Sequence, residues 1–136
     1  NVTLRRLRVY LITAATATTN MTWALYRLTT AGTGGAAVSN TVRNPADAAA
    51  GATGMTLPTA KGTEGAVVEA GTVLVHQTIT TVGVQTLIDL DWTANGMKAP
   101  VIAAGTSNGI AFKNITAVSP AAVLFDLEYS ESSVTI

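Results

Sequence analysis

Apolar and polar residues alternate with a period of two in several parts of this chain, and this pattern most constrains its fold. In the closing segment, residues 122–130, bulky apolar residues alternate with polar ones: Val123, Phe125, Leu127 and Tyr129 against Asp126, Glu128 and Ser130. Successive side chains of a β-strand point to opposite faces of the sheet, so this segment is predicted to be a strand with its apolar face inward. No segment has a helical apolar stripe longer than two turns.

The same alternation recurs along the chain. Residues 4–13 place Leu7, Val9 and Leu11 on one face and Arg6, Arg8 and Tyr10 on the other. Residues 86–92 place Ile88, Leu90 and Trp92 opposite Asp89 and Asp91. Further strands are predicted at 21–29, 66–69, 72–79, 100–104 and 109–115. About eight or nine short strands, separated by turns, predict an all-β antiparallel sandwich, jelly roll or barrel. We expect a single domain over residues 1–136.

The segment from 44 to 65 lacks this regularity, and we expect it to be a long irregular loop or arm. Asn44 and Pro45 indicate a turn or the start of a short helix. Gly51 to Gly65 contains four glycines and Pro58. The sizeable apolar residues here are Met55 and Leu57, too few to order the segment alone. We therefore expect a neighbouring protein to receive Met55 and Leu57, while Pro58 keeps the chain extended.

Composition limits the possible functions. The chain has no cysteine, which excludes disulfides, cysteine-ligated metals and thiol nucleophiles. Charged residues make up 12% of the chain, against roughly 25% in a typical soluble domain. Low charge indicates a surface partly covered by partners, although a small neutral monomer is an alternative. Zero net charge gives no reason to expect nucleic acid, and no apolar run reaches the roughly 18 residues of a membrane helix.

The charges are unevenly distributed between the two ends. Residues 1–43 hold five arginines and no acid, whereas residues 120–136 hold three acids and no base. This polarity suits contacts either between the two terminal strands or between subunits. We expect Arg6 and Arg8 to pair across an interface with acids of another chain, with Asp126 and Glu128 as the candidates.

Residues able to perform catalysis are scarce. His76 is the only histidine and lies in a predicted strand, without the partners that a general base or a metal ligand requires. Asp89 and Asp91 alternate with apolar residues, as on a solvated strand face. The glycine-rich segments lack the spacing of a phosphate-binding loop. We expect no enzymatic activity, no metal site and no cofactor.

In the order and character of its elements, the chain resembles the decoration (cement) proteins and related minor head proteins of tailed phages. The likeness covers most of the chain but not the first strand. It is carried by residues 23–27 (WALYR), 43–47 (RNPAD), 71–75 (GTVLV), 100–102 (PVI), 109–114 (GIAFKN) and 124–129 (LFDLEY).

This resemblance implies a β-sandwich or jelly-roll body that assembles as a homo-oligomer, often a trimer, on a capsid lattice. The implied partner is the major capsid protein, and the implied location is the capsid surface of the virion. The function expected from it is to stabilise the capsid by bridging neighbouring subunits. The alternative is a carbohydrate- or host-surface-binding module of a head or tail fibre, for which Trp92 beside Asp91 is the best candidate aromatic platform.

Overall fold

The computed structural model describes residues 1–13, 19–56, 58–67, 73–78, 85–94, 96, 98–105, 107–115 and 122–132. These residues contain β-strands and turns but no helix. The strands are β1 (Val2–Leu11), β2 (Thr19–Leu28), β3 (Ala36–Val38), β4 (Gly54–Thr56), β5 (Glu64–Val67), β6 (Val73–Thr78), β7 (Gln85–Asp91), β8 (Val101–Ile102), β9 (Gly109–Asn114) and β10 (Val123–Glu131).

Strand β1 is the centre of the first sheet. Strand β10 pairs with it along one edge, from Leu11 opposite Val123 to Val2 opposite Glu131. Strands β7 and β8 share the other edge, because β7 pairs with residues 6–11 and β8 with residues 2 and 3. All three pairings are antiparallel. The first and last strands therefore lie side by side, and β10 is an edge strand among the described residues.

Strand β2 has the same position in the second sheet. Strand β9 pairs with residues 23–28 along one edge. Strands β6 and β5 share the opposite edge, with β6 against residues 19–24 and β5 against Tyr26 and Leu28. Each sheet is thus three strands wide, with one long central strand and one edge divided between two shorter strands.

The two sheets pack face to face through the apolar sides of their central strands. The buried residues of this core are Leu4, Leu7, Val9 and Leu11 of β1, Trp23 and Leu25 of β2, Leu87 and Ile88 of β7, and Trp92 just after it. Full burial of such a large side chain stabilises a fold by about 1.5–3 kcal/mol. The predicted all-β antiparallel sandwich is confirmed, as is the inward face of β1.

A β-bulge in β1 extends this inward face beyond what strict alternation predicts. The register with β10 shifts between Leu4 and Arg6, which leaves Arg5 as an extra residue. The Arg5 carbonyl accepts a hydrogen bond from the Trp92 backbone N–H at 3.0 Å. Because of the bulge, Leu4 and Leu7 both face the core although they are three residues apart.

Between β2 and β5 the chain leaves the sandwich, and we call residues 29–63 the excursion. Within it, β3 and β4 pair antiparallel and form a two-stranded ribbon, with an isolated bridge between Thr33 and Ala60. Every residue of the ribbon is exposed. Most described residues of the segment from 44 to 65 are irregular, as predicted, but the segment contains β4 and its last two residues begin β5, so the prediction is corrected there.

The start of that segment is a turn rather than a helix. The Asn44 side-chain oxygen accepts a hydrogen bond from the Ala46 N–H at 3.1 Å. The Asn44 carbonyl accepts another from the Asp47 N–H at 2.9 Å. An Asn side chain that bonds the backbone two residues on favours a turn over a helix, which decides between the two alternatives.

Candidate interaction surface

The outer edge of β10 is the most exposed apolar part of the described sandwich. Leu124 is 53% exposed, Phe125 42% and Leu127 40%. Strand β10 pairs with β1 and with no other strand among the described residues. A sheet edge with accessible backbone groups and apolar side chains is a template for strand addition. We call residues 123–127 the open edge.

The register shows which backbone groups of the open edge face outward. The Ile12 N–H donates to the Ala122 carbonyl at 3.1 Å, so this pair is hydrogen-bonded. Hydrogen-bonded and non-hydrogen-bonded pairs alternate along an antiparallel ladder. In this register, Val123, Phe125 and Leu127 therefore direct their N–H and C=O groups away from β1. The outward backbone groups belong to apolar residues.

Aromatic contacts fix the middle of the open edge against the opposite sheet. The Phe125 ring lies edge-on to Trp23 of β2, with 5.5 Å between ring centroids, and edge-on to Phe112 of β9 at 5.6 Å. Trp23 and Phe112 are stacked at 5.3 Å. Edge-to-face and stacked pairs at these distances are favourable. Phe125 is thus held in place while much of its ring remains accessible.

The outer face of the first sheet carries a set of ion pairs across its three strands. The Arg6 guanidinium donates to both carboxylate oxygens of Asp89, at 2.8 and 2.6 Å. Arg8 pairs with Asp126 and, at 2.8 Å, with Glu128. Arg6 and Arg8 thus find acids within their own chain, on β7 and β10. The expectation that they reach acids of another chain is corrected, because the β1–β10 register already places Arg8 opposite Asp126.

Hydrogen bonds stabilise the charged forms of the acids on β7. The hydrogen bond from Arg6 lowers the pKa of Asp89 below its ordinary value. Bonds from the Thr93 side chain and backbone lower the pKa of Asp91 in the same way. These two acids thus have structural partners: Asp89 is in an ion pair, and Asp91 accepts the hydrogen bonds of a turn.

The excursion is attached to the far end of β10 by two contacts. Arg43 pairs with Glu128 at 2.6 Å. The Glu131 carboxylate accepts hydrogen bonds from the backbone N–H groups of Gly51, at 2.9 Å, and Ala52, at 2.7 Å. These backbone bonds lower the pKa of Glu131. The excursion is therefore bonded to β10 at Glu128 and Glu131, beyond the open edge.

Sequence reasoning had not identified Arg43 and Glu131 as contact residues. The unequal distribution of charge between the two ends was the available signal, since both residues contribute to it. Alternation identifies which face of a strand is directed to the core. Arg43 and Glu131 instead join a loop to a strand end, which no periodicity describes.

The excursion residues predicted to contact a partner are exposed where they are described. Met55 of β4 is 43% exposed, and Val38 of the paired strand β3 is 45% exposed. Pro58 is exposed as well, and Leu57 lies outside the described residues. Met55 and Val38 stand on opposite faces of the ribbon, because Met55 pairs with Ala37 and Val38 with Gly54. The ribbon therefore presents one large apolar side chain on each face.

The aromatic platform considered for carbohydrate or host-surface binding is not accessible. Trp92 is 3% exposed and packs in the core with Leu4, Leu7 and Leu25. This corrects the expectation that Trp92 and Asp91 form a surface site. The His76 backbone lies in β6, and its side chain is outside the described part of the structure. Among the described residues, no group of three or more potential metal ligands occurs.

Comparisons with protein families, curated proteins and solved structures find no significant match to this chain. Within the described residues, no helix is long and apolar enough to cross a membrane.

Proposed function

We propose that this chain is a virion structural protein that decorates a phage capsid and stabilises it by bridging neighbouring capsid subunits. Its partners would be the major capsid protein and further copies of itself. In this role the protein contributes binding surface rather than chemistry, so neither enzymatic activity nor a cofactor is part of the proposed function.

The observation that supports this function is the exposed ribbon of β3 and β4. A two-stranded ribbon on its own is marginally stable in water at best. This ribbon has both faces exposed, with Val38 on one and Met55 on the other. A groove between two capsid subunits would cover both faces at once and remove these apolar side chains from water.

Bridging gives such a protein its stabilising effect. Apolar area removed from water contributes roughly 25 cal/mol per Å². When one protein binds two subunits, the second contact forms within the same complex and benefits from a high effective concentration. Subunits joined in this way resist separation more strongly than either contact alone would allow.

The ribbon can be tested by placing a charge on each of its faces. We expect Met55→Glu and Val38→Glu each to weaken binding to particles of the parent virus at least tenfold, measured by co-sedimentation. Thr86→Glu is the control, since Thr86 is exposed on β7, in the sandwich and outside the ribbon. Unchanged binding by both apolar variants would contradict a capsid contact through the ribbon.

A further inference from the structure

The open edge of β10 has the properties of a surface that pairs with its own copy. Its outward backbone groups belong to Val123, Phe125 and Leu127, so Phe125 lies at the centre of a symmetric stretch. Among the described residues, the bonds between the excursion and β10 are made by Glu128 and Glu131, beyond this stretch. The part of the edge that remains accessible is therefore short, apolar and centred on one residue.

We propose that two copies of this chain associate through their β10 strands, antiparallel and centred on Phe125. This pairing deepens the proposed function and rests on it, because it adds the contact between copies to the contact made by the ribbon. Two three-strand sheets would join into one continuous sheet. A two-fold contact of this kind differs from the trimer implied by the family resemblance.

The side chains support this register. With Phe125 opposite Phe125 of the second copy, Val123 of each chain lies opposite Leu127 of the other. On the outer face, Leu124 of one copy lies opposite Asp126 of the other. The two Asp126 residues therefore do not face each other, and each is already paired with Arg8 of its own chain. Like charges directly opposite would destabilise a strand pair, and this register avoids them.

The excursion also disfavours the alternative registers. A shift that places residues 128–131 at the centre would require displacement of the segment bonded to Glu131. A slip of one strand by one residue would set the outward backbone groups opposite groups that are already bonded to β1. A centre at Asp126 would place the two Asp126 side chains directly opposite each other. A centre at Leu124 would pair Val123 with Phe125 and leave Leu127 out, whereas the centre at Phe125 uses all three residues with outward backbone groups.

A single introduced cysteine reports the register directly, because the chain has none of its own. Phe125→Cys would place two sulfurs in a hydrogen-bonded pair with Cα atoms about 5.5 Å apart, within disulfide range. Leu127→Cys is the control, since its two copies would lie about 14 Å apart along the strands. We expect mild oxidation to give covalent dimer in high yield for Phe125→Cys and little for Leu127→Cys.

A second measurement does not depend on cysteine chemistry. The native mass of the wild-type protein is expected to be twice the 13.9 kDa of one chain. Leu127→Pro should give monomer, because the Leu127 N–H points outward and its loss leaves the pairing with β1 intact. Leu124→Lys should remain dimeric, with the new charge facing Asp126 of the other copy.

Selective cross-linking at residue 125 together with a dimeric mass supports the pairing. Equal cross-linking at both positions, no cross-linking at either, or a monomeric or trimeric wild-type mass would overturn it. These measurements use the isolated protein. A monomer whose binding to particles still depends on Met55 would therefore reject the β10 pairing alone and leave the proposed function in place.

Discussion

Strands β1 and β10 run side by side with the same alternation, yet they differ sharply in burial. Leu7 and Val9 of β1 are 3% and 0% exposed. Their direct partners across the ladder, Leu127 and Phe125, are 40% and 42% exposed on the same face of the sheet. The residue types and the face are alike, so the difference comes from position: β1 is the central strand of the sheet, and β10 is an edge strand of the same sheet.

This contrast separates two uses of an apolar residue. On β1 the apolar side chains stabilise the sandwich itself. On β10 the same kinds of side chain are only partly covered by their own chain and are available to a partner. The ribbon of the excursion likewise has apolar side chains that are available to a partner, since both of its faces are exposed. The protein is thus divided into a body that stabilises itself and an edge and ribbon suited to contacts with other proteins.

The largest expected effect comes from truncating the paired leucines of the two strands. We expect Leu7→Ala to reduce the free energy of unfolding by about 2–5 kcal/mol, because it leaves a cavity in the core. Leu127→Ala should cost no more than about 1 kcal/mol, because that side chain is already substantially solvated. Urea denaturation below the concentration of self-association measures both. Equal losses would show that β10 belongs to the core as fully as β1.

A smaller effect is expected from the two arginines that share Glu128. Arg8→Met removes pairs with Asp126 and Glu128 from a side chain that is 24% exposed. After solvent screening, we expect a loss of about 1 kcal/mol. Arg43→Met is the matched control: its side chain is 85% exposed, so the loss should stay within a few tenths of a kcal/mol. High salt should reduce the difference in stability between the two variants. A larger loss of stability from Arg43→Met than from Arg8→Met would contradict this prediction.

The smallest effect is local and depends on pH. Hydrogen bonds from Ala52 and Gly51 lower the pKa of Glu131 below its ordinary value of 4.5. A carboxyl with a lowered folded-state pKa stabilises the fold above its unfolded pKa and loses that contribution as pH falls through the lowered value. The attachment of the excursion should therefore be complete at neutral pH and be lost in acid, below pH 4.5.

The amide resonances of Gly51 and Ala52 measure this attachment. Their NMR chemical shifts should titrate with a midpoint below 4.5, and Glu131→Gln should abolish the titration while speeding amide exchange at neutral pH. A midpoint above 4.5 would mean that the bonds to Glu131 do not persist in solution.

Much of the sandwich could be predicted from alternation alone. The inward face of β1 and the burial of Ile88 follow from period two, because each strand is covered on one side, and Trp92 continues the same alternation just beyond the end of β7. Leu4 could not be predicted in this way, since its burial depends on the bulge at Arg5. The bulge arises from the register between distant strands and has no local signal.

The interaction surface was only partly predictable for the same reason. Alternation placed Phe125 and Leu127 on the inward face, and the register agrees, but coverage depends on how far the opposite sheet extends. The charge asymmetry predicted contacts between the ends, and Arg8 with Glu128 is one of them. The charge asymmetry did not show whether an arginine pairs with an acid of its own chain or of another chain, since either acid would neutralise it.

Trypsin protection of the excursion tests the central claim most directly, because Arg43 and Lys61 lie in this exposed region and are cleavage sites. The isolated protein should be cut after one or both residues while the sandwich remains intact. On the assembled particle, the same bonds should be protected many-fold, because a capsid neighbour would cover the ribbon. Cleavage at equal rates in the free and particle-bound states would contradict the claim that the excursion is a capsid contact.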